Sequence, residues 1–397
     1  MRISTAGMYA QGLQAMLQRQ GELARTSEQM SSGVRFTRAG QDPAAASTAQ
    51  GLDHALASLQ QYERSAGHVG RRLELQEEAL ASAGDQLTRA RELVVRANSA
   101  TLSDEDRKLI AVEVRHLREE MISIANRGDG AGRSLFAGTR DGVVPFTDNG
   151  GNVTYAGNDG SNDVDVAPGF AITDTDPGSA LFLRVPTGDG IVRGSADAGN
   201  SGSGVLSSAS VTDHAAWNGD GIIVEFTDTE NYRVLDAAGD EIATGTWQSG
   251  QAISAGGVQM KISGAPAAGD SFSLSPAGER DIFATLDGIA DALEAPGSNA
   301  AADARRTNIL TGALGDLATA QDHLLAARAS TGSRLASLDN AAESRSATGL
   351  ALETTLSDLR DTDYAEAATR LTMQLTALEA AQQVTLRIQG LSLFNKL

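Results

Sequence analysis

The side chains that most often carry out chemistry are few and scattered in this chain. Cysteine is absent, which excludes thiolate nucleophiles, disulfides and cysteine metal sites. No HExxH pair, Walker A loop or GxSxG nucleophile elbow occurs. The five histidines are far apart in sequence: His54, His68, His116, His214 and His323. We therefore expect no enzyme, no metal and no cofactor.

Three short motifs suggest binding, but each has a simpler interpretation. The oxygen-rich segment 157–163 lacks the bidentate glutamate of a calcium loop, so turn chemistry explains it better. Arg127-Gly128-Asp129 resembles an adhesion tripeptide, yet it stands where a predicted helix ends and a glycine is needed. Asn152-Val153-Thr154 fits a glycosylation sequon.

Charge is distributed unevenly along the 397 residues. Residues 141–280 carry 19 acidic and 5 basic side chains, so −14 of the net charge of −19 lies there. Residues 1–40 hold 5 basic and 2 acidic groups, and residues 360–397 hold 4 of each. An acidic chain is a poor ligand for phosphate backbones, which excludes a nucleic-acid partner. No apolar run of about 18 residues exists, so we expect no membrane-spanning helix.

Apolar residues at alternating steps of three and four predict a long helix from Leu52 to Ala97. A second helix is predicted after Ser103, an N-cap followed by three acids. A matching seam runs from Leu310 to Leu359, and a last helix carries Leu371 to Leu391. Narrow rows of leucine and alanine are typical of coiled-coil packing.

Between these helices the pattern changes to short alternating runs separated by glycine. Of 43 glycines, 27 lie between residues 128 and 280. Ile222, Val224 and Phe226 are expected to face one way, and so are Val258, Met260 and Ile262 around Gln259 and Lys261. This period of two, with Gly, Asp and Asn turns, predicts an antiparallel β domain.

The fold class is therefore α+β and multidomain. The inserted β domain prevents a short hairpin between the two long helices, so they are expected to pack antiparallel as a coiled-coil bundle. The predicted domains are a terminal helical assembly domain (1–45 and 361–397), a helical bundle (46–140 and 281–360) and a surface-exposed β domain (141–280).

The terminal helices carry only thin apolar stripes, which would be marginal in water without further packing. We expect them to be frayed in the free subunit and buried between subunits in an assembly. The predicted interface residues are Leu13, Met16, Leu17, Leu23, Met30, Leu371, Leu375, Leu378, Val384, Ile388, Leu391 and Phe394.

Several motifs at both ends resemble the flagellin superfamily. They are Met1-Arg2-Ile3-Ser4-Thr5, Ser31-Ser32-Gly33 with Arg35, Asp42-Pro43-Ala44-Ala45, Ser134-Leu135-Phe136-Ala137-Gly138-Thr139 and the ending Ser392-Leu393-Phe394-Asn395-Lys396-Leu397. Within that family the Ser-Leu-Phe ending favours a subunit of the hook–filament junction over the filament subunit.

The resemblance implies a structural role in bacterial motility. The chain would form a ring with copies of itself, next to a hook-associated protein on the hook side and flagellin on the filament side. It would leave the cell by flagellar type III export, with a cytoplasmic chaperone on its C-terminal helices. The first 20 residues lack the apolar run of a cleavable signal peptide, so export without one is expected.

Two alternatives remain open at this point. The chain could be a filament flagellin, which would polymerise into long filaments alone. It could instead display the β domain as a binding module, such as an adhesin, on a helical stalk.

Overall fold

The computed structural model describes residues 5–99, 102–297 and 299–394. The described residues include six α-helices: α1 (Thr5–Ser32), α2 (Pro43–Ala97), α3 (Asp104–Ala125), α4 (Ile282–Glu294), α5 (Ala300–Arg360) and α6 (Tyr364–Phe394). The described residues form two compact units, a smaller one within 1–64 and 341–397 and a larger one within 65–340. The division falls inside α2 and α5.

Fourteen strands lie between α3 and α4 in the described part of the chain: β1 (Phe146–Asn149), β2 (Asn152–Tyr155), β3 (Asp163–Ala167), β4 (Phe170–Thr173), β5 (Val185–Pro186), β6 (Val192–Ala196), β7 (Val205–Val211), β8 (Ile222–Phe226), β9 (Asn231–Asp236), β10 (Glu241–Thr246), β11 (Ala252–Ala255), β12 (Val258–Ser263), β13 (Ser271–Pro276) and β14 (Glu279–Arg280). Every described pairing is antiparallel, as predicted.

Helices α2 and α5 run antiparallel within each unit, which confirms the predicted pairing. In the larger unit Gln76 bonds Thr331 at 2.8 Å and Thr88 bonds Gln321 at 2.7 Å. In the smaller unit the carboxylate of Asp53 lies 2.8 Å from the Arg360 guanidinium. Residue numbers on α5 fall as those on α2 rise. The seam positions Leu73, Leu80, Ala83, Leu87, Ala90, Val94, Ala97, Leu310, Leu317 and Leu324 are all buried.

A buried polar cluster interrupts this seam. The Arg72 guanidinium contacts the carboxylates of Asp129 (3.1 Å) and Asp174 (2.8 Å), and all three side chains are less than 10% exposed. Beside it, Gln76 donates to Asp176 at 2.7 Å and accepts from the Asp176 amide at 2.8 Å. The carboxylate of the adhesion-like tripeptide is therefore committed to an internal ion pair.

Helices α3 and α4 complete the helical core. Ser103 caps α3 as predicted, accepting a bond from the Asp106 amide at 3.1 Å. Ile110, Val114, Leu117 and Met121 are buried against α4 in one cluster with the α2–α5 seam.

The β region is divided between two cores. Phe146 on β1 and Phe182, in a π-helical turn (Ser179–Leu183), pack edge to face at 5.8 Å inside the helical core, next to Phe283 of α4. Strands β6 to β13 build a separate core. A five-stranded sheet of order β10-β9-β8-β13-β6 and a three-stranded sheet of order β11-β12-β7 both contribute to it. The predicted inward rows Ile222, Val224, Phe226, Val258, Met260 and Ile262 are buried there.

Polar side chains on α5 fasten this second core to the helices. Asp316, 3% exposed, accepts from the Gly188 amide at 2.8 Å and from Arg193 at 2.9 Å. Asn308 accepts from the Leu206 amide at 2.7 Å and donates to Gly204 at 3.0 Å. Because these bonds satisfy backbone groups next to the sheets, they fix where the strands lie against α5.

Asp148 provides a test of this scaffold through pH. The hydrogen bond from the Arg118 guanidinium, 2.6 Å away, is the main cause that holds the Asp148 pKa below its usual range. A carboxyl with a lowered folded-state pKa stabilises the fold above its unfolded-state pKa of about 4, and this contribution is lost as pH falls through the folded-state pKa. Asp148→Asn should lower the free energy of unfolding by about 1 kcal/mol at pH 7, since the carboxylate is about one-third exposed.

Denaturant titration at pH 7 and pH 3 measures this difference, which should shrink at the lower pH. Glu241→Gln on the exposed edge strand β10 is the control. An Asp148→Asn penalty that is equal at both pH values would contradict the assigned ion pair.

Candidate assembly interface

Two short connections meet in the smaller unit and position α1 and α6. Gly33 ends α1 with a φ of +74°, a left-handed conformation that favours glycine. The Arg35 amide donates to the Arg360 carbonyl at 2.6 Å, and the Thr362 amide donates to the Gly33 carbonyl at 2.9 Å. The loop after α1 is thus hydrogen-bonded to the turn between α5 and α6.

The motif Asp42-Pro43 starts α2. The Asp42 carboxylate accepts from the Ala45 amide at 3.0 Å, and Pro43 occupies the first helical position, where its missing N–H is harmless. The Gln41 side-chain oxygen accepts from the Thr37 amide at 2.8 Å. Residues 31–45, which carry part of the resemblance, therefore form the end of α1, the loop after it and the start of α2.

Helices α1 and α6 pack against each other and run antiparallel. The Thr385 hydroxyl contacts the Met16 sulfur at 3.9 Å, whereas Thr362 bonds the Gln29 carbonyl at 3.3 Å. The most buried side chains on the pair are small, with Thr26 at 3% and Ala367 at 1% exposure. Both helices are continuous over Thr5–Ser32 and Tyr364–Phe394, and their fraying in the free subunit stays a prediction.

The predicted interface residues fall into three groups. Half-buried positions, which help to hold the pair together, are Met16, Leu23, Met30, Leu371 and Leu378. Exposed positions are Leu13, Leu17, Leu375 and Val384. Ile388, Leu391 and Phe394 belong to the end of α6, and their side chains lie outside the described part of the chain.

Exposed apolar side chains flank the inner face of α6 on both sides. Met373 (67% exposed) and Val384 are eleven residues apart, as are Leu375 and Leu386 (66% exposed). At about 100° per residue each pair lies on one side of the helix, with the Met373 pair about 130° to one side of Leu378 on the inner face and the Leu375 pair about 70° to the other. We call these pairs the two flanks of α6. Sequence reasoning missed Met373 and Leu386 because they stand outside the main apolar period.

Helix α1 adds a third exposed stripe. Tyr9, Leu13 and Leu17 are spaced by four residues, so they share one side of the helix. Each is between 46% and 59% exposed. The smaller unit therefore has three exposed apolar stripes, and an apolar helix surface of this kind is normally covered by other protein.

The remaining candidate motifs do not assemble into a reactive site. Asn158, in the calcium-like segment, accepts from the Thr139 amide at 2.9 Å and from the Gly160 amide at 3.2 Å, which is turn geometry. Among the described residues no group of three or more His, Cys, Asp or Glu is placed to hold a metal ion. No described helix has the length and hydropathy needed to cross a membrane.

Comparison with known proteins gives matches over the whole chain. The model of the bacterial flagellin N-terminal helical region matches residues 3–141, and that of the C-terminal helical region matches residues 314–397. The chain is 27% identical to flagellar hook-associated protein 3 of Escherichia coli (strain K12) over 395 residues, covering 100% of this chain and 99% of that protein.

Solved structures agree with this likeness. The crystal structure of Xanthomonas campestris FlgL is 43% identical, with a TM-score of 0.73, and the match covers 77% of this chain and 99% of that one. The flagellar junction protein FlgL from Legionella pneumophila is 26% identical, with a TM-score of 0.71, and the match covers 79% of this chain and 100% of that one.

The assignment of inner and flanking positions on α6 predicts unlike effects for two leucines. Leu378→Ser removes a half-buried side chain from the α1–α6 pair, so it should lower the protection of α1 amides against hydrogen exchange by about 1–2 kcal/mol in the monomer. Leu386→Ser on the flank should change that protection by less than about 0.5 kcal/mol. Equal losses in the two variants would show that the inner face has been assigned wrongly.

Proposed function

Because the chain belongs to the bacterial flagellin family, we propose that it is the structural subunit of the junction between the flagellar hook and the flagellin filament. The relatives that match it over their full length support the junction role, since one is titled a junction protein and another is named hook-associated protein 3. The role is mechanical, and the described residues hold no arrangement that would suggest catalysis.

The observation that carries this proposal is the apolar surface of the terminal helices. Both flanks of α6 and the Tyr9–Leu17 side of α1 are exposed in the single chain. At about 25 cal/mol per Å² of apolar surface, covering a few hundred Å² on each neighbour contributes several kcal/mol before ordering costs are subtracted. Repeated around a ring, such contacts would hold a junction that transmits torque.

The proposed place at the junction also implies the partners of the chain. Copies of the chain would form the ring, with a hook-associated protein on the hook side and flagellin on the filament side. Residues 1–45 and 361–397 would act as the assembly domain, 46–140 and 281–360 as the surrounding bundle, and 141–280 as the outward β domain. We further propose an extracellular location reached by type III export without a cleavable signal peptide, with a cytoplasmic chaperone binding the C-terminal helices.

A surface-displayed binding module is the second candidate function. Strands β6 to β13 have their own core, which is what a displayed module needs. A filament flagellin is the other structural option, and the two are separated by whether the purified chain alone forms long filaments.

Charges placed on the α6 flanks test the junction role. Met373→Asp or Leu386→Asp should block incorporation, because each places a carboxylate in a surface that must lose its water. Filament counts by electron microscopy should fall at least tenfold, and flagellin should accumulate in the medium. Ile242→Asp, a similarly exposed position on β10, is the matched control and should leave filaments intact. Normal filaments in both flank variants, at normal export, would refute the proposal.

Removal of the second core separates the junction role from the binding module. The Thr187 amide donates to the Gly278 carbonyl at 3.0 Å, so residues 189–277 can be deleted and Gly188 joined to Gly278 with little distortion. The cut spares β1 to β5, part of which lies in the helical core. Swimming in soft agar should stay above about half of the wild-type rate if the role is junctional. Loss of swimming by a shortened chain that is exported and folded would favour the module.

A further inference from the structure

A cleft of about 380 Å³ lies in the larger unit between strand β6 and helices α4 and α5. Its size is at the lower end of the range for small-molecule sites, about 300–1,000 Å³. Strand β6 forms one edge of the five-stranded sheet, and it borders the cleft along 193–196. On the helix side the exposed apolar side chain is Ile309, whereas Ile289 and Ala313 are buried.

Three arginines line this cleft: Arg193, Arg280 and Arg305. Two of them are among the five basic residues in the acidic stretch 141–280. Arginine is thus concentrated at one place in a segment that otherwise carries mostly carboxylates. Such clustering is what recognition of an anionic group requires.

Each guanidinium is held in place by the protein. Arg193 donates two bonds to Asp316 (3.1 and 2.9 Å), Arg280 donates to the Ala284 carbonyl at 3.0 Å, and Arg305 donates to the Asn200 carbonyl at 2.9 Å. Since a guanidinium carries five N–H donors, each arginine keeps donors for a ligand. Groups that are fixed before binding lose little entropy when a ligand arrives.

A glycine inside α4 makes room for one of the arginines. A Cβ on Gly288 of α4 would lie 3.1 Å from the Arg280 terminal nitrogen, and one on Gly312 of α5 would lie 3.9 Å from that of Arg193. Glycine costs about 1 kcal/mol relative to alanine within a helix. The Arg280 guanidinium therefore lies close to the backbone of α4 at Gly288, whereas the 3.9 Å distance at Gly312 is an ordinary contact.

The charge balance selects the kind of anion. Asp316 forms ion pairs with Arg193 at 2.9 Å and with Arg280 at 3.9 Å. Among the described residues that line the cleft, the one acid is Asp197. Three positive charges against these two carboxylates leave about one positive charge. A single carboxylate neutralises it, whereas a dianionic phosphate would add excess negative charge to an acidic segment.

We propose that this cleft binds a small monocarboxylate of about monosaccharide size, such as a sugar acid, with its carboxylate on the arginines and its body against the exposed side chain of Ile309. This site is separate from the proposed junction role, since none of its lining residues belongs to the smaller unit.

Titration of the intact, isotope-labelled chain with glucuronate tests the proposal by nuclear magnetic resonance. The amide signals of Gly288 and Gly312 should shift and saturate with a dissociation constant on the order of 1 mM or below. Glucose, the neutral analogue, should give no saturable shift. Inorganic phosphate should bind at least several-fold more weakly than glucuronate.

Two variants and a control locate the binding. Arg305→Gln should weaken glucuronate binding about tenfold, and Gly312→Leu should abolish it by filling the cleft while keeping every charge. Arg233 lies on β9, outside the cleft, and pairs with Glu225 of β8, so the Arg233→Gln variant should bind glucuronate like the wild type. Absence of saturable shifts with glucuronate, binding of glucose or phosphate at equal strength, or full binding by Gly312→Leu would each overturn the proposal.

Discussion

The antiparallel pairing of α2 with α5 is the constraint on which the rest of the structure depends. Neither helix can bury its narrow row of leucine and alanine alone, and the chain between them is too long to act as a simple hairpin. In the smaller unit, the pairing brings Arg360 beside Asp53, so the loop after α1 and the turn before α6 are hydrogen-bonded to one another. Helices α1 and α6, which are far apart in sequence, become neighbours as a result.

Leucine and alanine seams alone define register poorly, because a shift by one heptad still buries apolar side chains. The polar contacts in the larger unit remove that freedom. Gln76 and Thr331 are fully buried and bonded to one another. Any other register would leave them without partners, at a cost of about 1–3 kcal/mol for each group. The ion pairs of Arg72 with Asp129 and Asp174 extend the same restriction to the loops outside the helices.

The sequence predicts well those features that repeat. Steps of three and four along α2 and α5, the Ser103 cap and the alternation around Val224 and Met260 are periodic or local signals, and the structure confirms them. The sequence does not show that Phe146 and Phe182 join the helical core, because that depends on contacts over long sequence distances. Asp316 and Asn308 read in sequence as ordinary polar positions of a helix, yet they hold the second core in place. Met373 and Leu386 escaped prediction for a related reason, since a single period describes only one face of a helix.

The composition of the terminal helix pair bears on how copies would associate. Its most buried side chains are small, such as Thr26 and Ala367, so the pair gains little from its own packing, and larger apolar groups are left outside. The two flanks of α6 differ, with methionine and valine on one and two leucines on the other. Unlike surfaces on opposite sides of a subunit favour head-to-tail contacts, in which one flank meets a different surface of the next copy. In the proposed ring, contacts of this type would close when the rotation between subunits divides a full turn, so the angle between the contacting surfaces would set the number of copies.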